Sequence, residues 1–313
     1  MKINAKLMKL MLWMVIPFTL LSCSDDDTIN VPENNSITAI ASRTPQFSIL
    51  VDALVKAGLA ETLNQSGSYT VFAPTNSAFT DFLNDKGFNS LNDVPVDALK
   101  EILLNHVVSG TNLSSNLTTG YVKTLGKGSA SSTNTLSMFI NTNSGVVVNG
   151  VSTVTTADIL ADNGVIHEVN AVIDLPTIVT HALANPDFST LTNLLNQQGL
   201  VPTLAGENGS PFTVFAPDNN AFMTFEMENP GTLASLTSNQ VTSVLTYHVV
   251  GGANVVSTGI PTTPITTLET GTFTINGTVI TDESNRETNI IAVDIQASNG
   301  IIHVLDNILL PNL

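Results

Sequence analysis

Thr70-Val71-Phe72-Ala73-Pro74-Thr75-Asn76-Ser77-Ala78-Phe79 returns as Thr213-Val214-Phe215-Ala216-Pro217-Asp218-Asn219-Asn220-Ala221-Phe222, identical at eight of ten positions and displaced by 143 residues. Outward from this block, His106-Val107-Val108 pairs with His248-Val249-Val250 at an offset of 142, and Asn163-Gly164-Val165-Ile166-His167 pairs with Asn299-Gly300-Ile301-Ile302-His303 at 136. Three blocks in one order at nearly one spacing mean that a single unit is written twice. The drift in offset is a few residues of insertion and deletion, which loops absorb and cores do not. So long a period indicates tandem domains, since solenoid repeats run to about 20–50 residues. The boundary falls between Pro176 and Pro186.

Each copy opens on a helical pattern. Phe47, Leu50, Leu54 and Val55 recur at spacings of three and four before Gly58, and Phe188, Leu191, Leu194 and Leu195 do so before Gly199. Tyr69 to Ala73 then reads as a short buried strand stopped by Pro74, and Thr75 or Asp218 offers an N-cap to the next turn, which Phe79 or Phe222 pins to the core. In the following helix Leu99, Ile102, Leu103 and His106 stand at 0, 3, 4 and 7, as do Val241, Val244, Leu245 and His248, so both histidines fall on the apolar face. A Val/Ile/Thr-rich half follows, with turns at Asn149-Gly150 and Asn276-Gly277 and a closing hairpin turned at Asn163-Gly164 or Asn299-Gly300. In its last strand Val165, His167 and Val169 share a face, as do Ile301, His303 and Leu305. Helices early and strands late predict an α+β domain with a largely antiparallel sheet.

The composition agrees with two folded units. The chain has 313 residues, 42% hydrophobic and 12% charged, which excludes disorder and collagen-like repeats. Its net charge of −16 becomes −19 once the three lysines of the first 22 residues are removed. Such a surface repels phosphate backbones, so nucleic acid is not expected as a partner.

Those lysines, Lys2, Lys6 and Lys9, precede an apolar run from Leu10 to Leu21, the pattern of a signal peptide and too short to span a bilayer. The run ends at Leu20-Leu21-Ser22-Cys23, which resembles the lipobox of bacterial lipoproteins, whose cysteine is lipidated and becomes the first residue. Cys23 is the only cysteine, so no disulfide can form within the chain. Asp25, Asp26 and Asp27 resemble the signal that sends lipoproteins of some Gram-negative groups to the outer face of the outer membrane. The expected division is a leader over 1–22, an acidic and polar tether over 23–39, a first domain over 40–177 and a second over 178–313. The expected location is the bacterial cell envelope, on an outer-membrane lipid anchor and exposed at the surface.

The Thr-Val-Phe-Ala-Pro block, the Tyr247-His248 pair and the Asn-Gly-Ile-Ile-His block closing at Pro311 resemble the three signature segments of the fasciclin domain. The resemblance covers residues 40 to 313. It implies two tandem fasciclin-like domains, each a wedge-shaped, seven-stranded antiparallel β-sandwich flanked by helices, and a role in adhesion between cells or between cell and matrix. Family members bind integrins partly through an Asp-Ile pair just ahead of the last block, and Asp158-Ile159 and Asp294-Ile295 occupy those positions here. A plain reading of the same pairs is an isoleucine packed inward beside an exposed acid. The first copy carries Asn105-His106 where the family has Tyr-His, so a tyrosine-dependent activity is expected of the second copy alone. Charge also separates the copies, at −5 over residues 36–177 and −10 over 178–313, where Arg286 is the only cation.

Catalytic chemistry finds no foothold in the sequence. Two histidines recur per copy, His106 with His167 and His248 with His303, and no acid accompanies both at a ligand spacing, whereas a structural metal needs about four ligands. No Gly-x-Ser-x-Gly elbow is present, and Gly120 to Lys127 has the wrong spacing for a phosphate loop. No metal or other cofactor is expected, and the four histidines are read as structural hydrogen-bonding residues. The expected function is that of a lipid-anchored, non-catalytic adhesion or ligand-binding protein whose partner is a protein or glycan on another cell or matrix. The alternatives are an envelope-organising lipoprotein without an external ligand and, more remotely, an enzyme.

Overall fold

Each copy begins with a short helix that a distant loop holds in place. The structure, a computed structural model, describes residues 34–206 and 208–313; the leader, Cys23 and the triad Asp25, Asp26 and Asp27 lie outside the described residues. Helix α1 (Ile37–Arg43) is capped by Ser36 and receives a second cap from Asn163, whose Oδ1 accepts the Ile37 N–H at 2.9 Å. Ile37 and Ala41 of α1 pack in the first core. After it come α2 (Ser48–Lys56), β1 (Tyr69–Pro74), α3 (Asn76–Asp85), α4 (Val96–Asn105), β2 (Val107–Ser109), β3 (Gly120–Lys127), β4 (Thr135–Asn141), β5 (Val147–Val148), β6 (Ser152–Ala161) and β7 (Gly164–Val169).

The second copy repeats this order as α5 (Ile178–Ala184), α6 (Ser189–Gln197), α7 (Val201–Ala205), β8 (Phe212–Pro217), α8 (Asn219–Glu228), α9 (Thr232–Ser235), α10 (Ser238–Tyr247), β9 (Val249–Val250), β10 (Ile265–Thr266), β11 (Thr272–Asn276), β12 (Val279–Thr281), β13 (Glu287–Ala297) and β14 (Gly300–Leu305), with two short helices, α7 and α9, added. Helix α5 is tied down as α1 is, with the Asn299 Oδ1 accepting the Ile178 N–H at 2.9 Å. Val55, expected on the apolar stripe of the first helix, faces solvent, because it follows buried Leu54 by one residue and so lies about 100° around α2 from it.

Both copies build seven strands into one antiparallel path that a single parallel pair interrupts. In the first, β1 pairs antiparallel with β2 and parallel with β7, so the strands close into a ring. In the second, β8 is parallel to β14, and the sheet stays open between β9 and β10. There one bond from the Leu268 N–H to the Val249 carbonyl, 2.7 Å long, spans the gap. The parallel pairs explain the repeated Asn-Gly. The β7 chain runs so close to β1 that a Cβ on Gly164 would strike the Tyr69 carbonyl, and one on Gly300 would strike that of Phe212. Helices cover one face of each sheet, sealing Phe47, Leu54, Phe79 and Leu103 in the first copy and Phe188, Leu195, Phe222 and Leu245 in the second.

The two domains share an interface. Tyr121 on β3 packs against the core of the second domain and sets its ring edge-on to that of His181 on α5, with centroids 5.4 Å apart. Lys123 donates to the Asp294 carbonyl at 2.7 Å, Ser137 accepts the Gln296 N–H at 3.0 Å, and Ser298 bonds to Pro176 and Ala130.

Candidate functional site

The Asp-Ile pairs sit at irregularities in β6 and β13, where the pairing with the last strand shifts register. Asp158 and Asp294 have φ of 63° and 61°, the left-handed region that a short polar side chain tolerates. Each carboxylate grips one serine. Asp158 accepts from the Ser114 N–H at 2.8 Å and from its hydroxyl at 2.5 Å, and Asp294 accepts from Ser257 at 2.8 and 2.6 Å. The hydrogen bonds from Ser114 hold the Asp158 carboxyl below its usual range. Both acids are half-buried, Ile159 is half-buried and Ile295 is buried.

The recurring histidines are interior. His106 and His248 end their helices, and in each the Nδ1 lies beside a carbonyl one turn back, Ile102 at 2.8 Å or Val244 at 2.7 Å. The Nε2 faces a backbone N–H, that of Ile173 at 2.8 Å or Leu309 at 3.0 Å. A carbonyl can only accept and an N–H can only donate, so both rings are the neutral Nδ1–H tautomer. Burial pushes both down to about 4, and does the same to His181.

His167 and His303 are set the other way round, with Nε2 donating to the Asn112 or Val255 carbonyl at 2.9 Å. The Nδ1 of His167 stands 3.9 Å from the Asp158 carboxylate, but it accepts the Asp158 N–H at 3.2 Å, which makes this a hydrogen bond to a neutral ring and not an ion pair. Burial lowers His303 as well.

Tyr247 is fully buried. Its hydroxyl donates to the Thr272 carbonyl at 2.7 Å and accepts the Glu283 N–H at 3.1 Å, and burial pushes the phenol up to about 12. Asn105, its counterpart, is also buried and donates to the carbonyls of Ile173 and Asp174. The signature segments therefore meet as a frame that ties each helical layer to the sheet and to the loop after β2 or β9. Tyr247, His248 and Ile295, expected to carry adhesion, are buried side chains of this frame.

What this frame presents to solvent differs between the copies. Ile291 and Val293, just ahead of Asp294, are 55% and 45% exposed, whereas the aligned positions of the first copy are Thr155 and Ala157. No periodicity in the sequence marks these two, because β13 is irregular there and alternation fails. Lys123, Tyr121, Ser137 and Gln296 were also silent in the sequence, since their roles exist only once the domains meet. Burial holds the Lys123 ammonium below its usual value. Among the described residues, no group of three or more His, Cys, Asp or Glu side chains is placed to hold a metal ion, and no helix is long and apolar enough to cross a membrane.

Two seven-stranded α+β units joined through one interface, each framed by the same three segments, make a tandem domain pair. The Fasciclin domain profile matches residues 45–176 and 186–311, and the chain belongs to the fasciclin-domain family. Protein sll1483 of Synechocystis is 37% identical over 141 residues, which are 43% of this chain and 73% of that protein. Human periostin is 29% identical over 265 residues, 81% of this chain but 30% of periostin. The solved structure of a domain pair from the insect cell adhesion molecule fasciclin I superposes with a TM-score of 0.54 at 20% identity, covering 86% of this chain and 97% of that one, a likeness of fold.

Proposed function

We propose that this chain is a non-catalytic adhesion or ligand-binding protein, displayed at the surface of a bacterial outer membrane by a lipid on Cys23 and exported there through Asp25, Asp26 and Asp27. The observation that carries the binding role is the exposed pair Ile291 and Val293 beside Asp294 in the second domain. An exposed apolar pair next to a carboxylate is the chemistry of a contact site, and the first domain carries Thr155 and Ala157 at these positions. Tyr247, His248 and Ile295 act here as the support that fixes such a surface. The charge of −10 over the second domain favours a neutral or cationic face of a protein or glycan on another cell or matrix. Membership of the fasciclin-domain family, and likeness of fold to a domain pair from an insect cell adhesion molecule, support the same reading.

Two measurements test it. Cells expressing the chain should incorporate labelled fatty acid into it, and Cys23→Ala should abolish both the label and membrane fractionation. The soluble chain from Ser24 onward should bind at least one ligand saturably on matrix-protein and glycan arrays. Labelling that survives Cys23→Ala contradicts the anchor, and arrays without saturable binding leave the envelope-organising reading in its place.

A further inference from the structure

Domain 2 contains a partly enclosed cavity of about 170 Å³ beneath its helices. Phe222 of α8, Leu233 and Leu236 in and after α9, and Val241, Val244 and Leu245 of α10 form most of its wall. Only two lining side chains carry polar atoms. One is His248, whose two ring nitrogens are already taken by Val244 and Leu309, and the other is Thr190, half-buried, with the single hydroxyl. A water molecule needs two to four polar partners, and this wall does not supply them.

The two copies treat the same place differently. The Asn76 and Asn219 amides accept the Ile49 and Thr190 N–H groups in the same way, so these two residues correspond in space as well as in sequence. Where the second copy has Thr190, Val241 and Val244, the first has the larger aliphatics Ile49, Leu99 and Ile102. Leu83, buried in the first core, corresponds to Glu226, whose Oε1 accepts the Gly231 N–H at 2.5 Å, whose Oε2 is buried without a hydrogen-bond partner, and which does not line the cavity. Leu194 in place of Ala53 returns part of the volume, and the remainder is the cavity.

We propose that this cavity is a binding site for one compact, uncharged aromatic ring, carried by a small molecule. The volume is close to the roughly 150 Å³ at which a dry, aliphatic-lined cavity takes up benzene. The Phe222 ring in the wall gives an aromatic guest an offset or edge-on partner. A charged guest is excluded, because nothing in the wall would compensate its lost hydration. The site is independent of the surface proposed above for adhesion and holds whether or not that surface binds.

Toluene titrated into the chain from Ser24 onward, followed by methyl-resolved NMR, tests the proposal. Toluene should shift the methyls of Val241, Val244 and Leu245 saturably and leave those of Leu99 and Ile102 unmoved, while benzoate at equal concentration shifts none of them. Restoring the first copy's side chains with Val241→Leu and Val244→Ile should weaken toluene binding by about tenfold or more while the melting temperature holds or rises. If that variant melts below the parent, Thr190→Ile is read by the same criteria. The absence of saturable shifts at the three residues, equal shifts from benzoate, or undiminished binding by a folded variant overturns the proposal.

Discussion

Replacing His248 by alanine removes a ring that bridges the end of α10 to the C-terminal segment. Its Nδ1–H loses the Val244 carbonyl, and the Leu309 N–H, in a residue with no exposed surface, loses its acceptor. A stranded buried donor costs about 1–3 kcal/mol. The ring also forms part of the wall of the cavity of about 170 Å³, so deleting it enlarges a void already present. About 60 Å³ of lost ring, at about 24 cal/mol per Å³, adds about 1.5 kcal/mol. The total of about 3 kcal/mol corresponds to roughly 10 °C of melting temperature for a domain of this size. Circular dichroism melts of parent and variant measure it directly. His248→Phe separates the two causes, because it keeps the packing and still strands Leu309, and it should fall between them. An alanine variant that melts within about 2 °C of the parent refutes the assignment of this ring as a structural bridge.

Acid should destabilise the protein in a defined window. His106, His181 and His248 are held neutral with folded values of about 4, against the ordinary 6.5, so between those values the unfolded chain binds more protons than the folded one. Stability therefore falls as pH is lowered from about 6.5 to 4, by about 3 kcal/mol per ring at the low end, and urea titrations at several pH values should reveal it. Stability that is flat or rises over that range contradicts the burial argument. Gly300→Ala should disrupt the parallel pairing of β14 with β8, because its methyl meets the Phe212 carbonyl, and the expected outcome is loss of the folded second domain by NMR. Tyr121→Ala together with Lys123→Met should loosen the domains from each other while each stays folded, which calorimetry detects as a separation of their melting transitions.

The elements legible in the sequence were those whose cause is local. Thr75 and Asp218 accept the Ala78 and Ala221 N–H groups as N-caps, Gly58 and Gly199 follow their helices with φ of 69° and 67°, and the Asn-Gly turns lie at the hairpins. The histidine helices could be read from spacing because α4 and α10 are regular to their last turn. Helices α1 and α5 escaped because seven residues of ordinary propensity do not hold a helix alone, and their decisive caps, Asn163 and Asn299, lie more than a hundred residues downstream. The exposed Ile291 and Val293 escaped because a strand that shifts register twice breaks the alternation on which such readings depend. The parallel pairing of first and last strands is a topological fact, and only the crowded Gly164 and Gly300 leave a trace of it in the sequence.

The binding role rests on Ile291 and Val293, and the most direct measurement exchanges them for what the first copy carries. Ile291→Thr and Val293→Ala in one chain should leave the melting temperature unchanged, since both side chains are exposed and make no bridge in the frame. Parent and variant are then applied side by side, from Ser24 onward, to the same matrix-protein and glycan arrays. Saturable capture of the parent, lost in the equally stable variant, is the predicted result. Capture of both to the same extent contradicts the claim that the second domain binds through this surface.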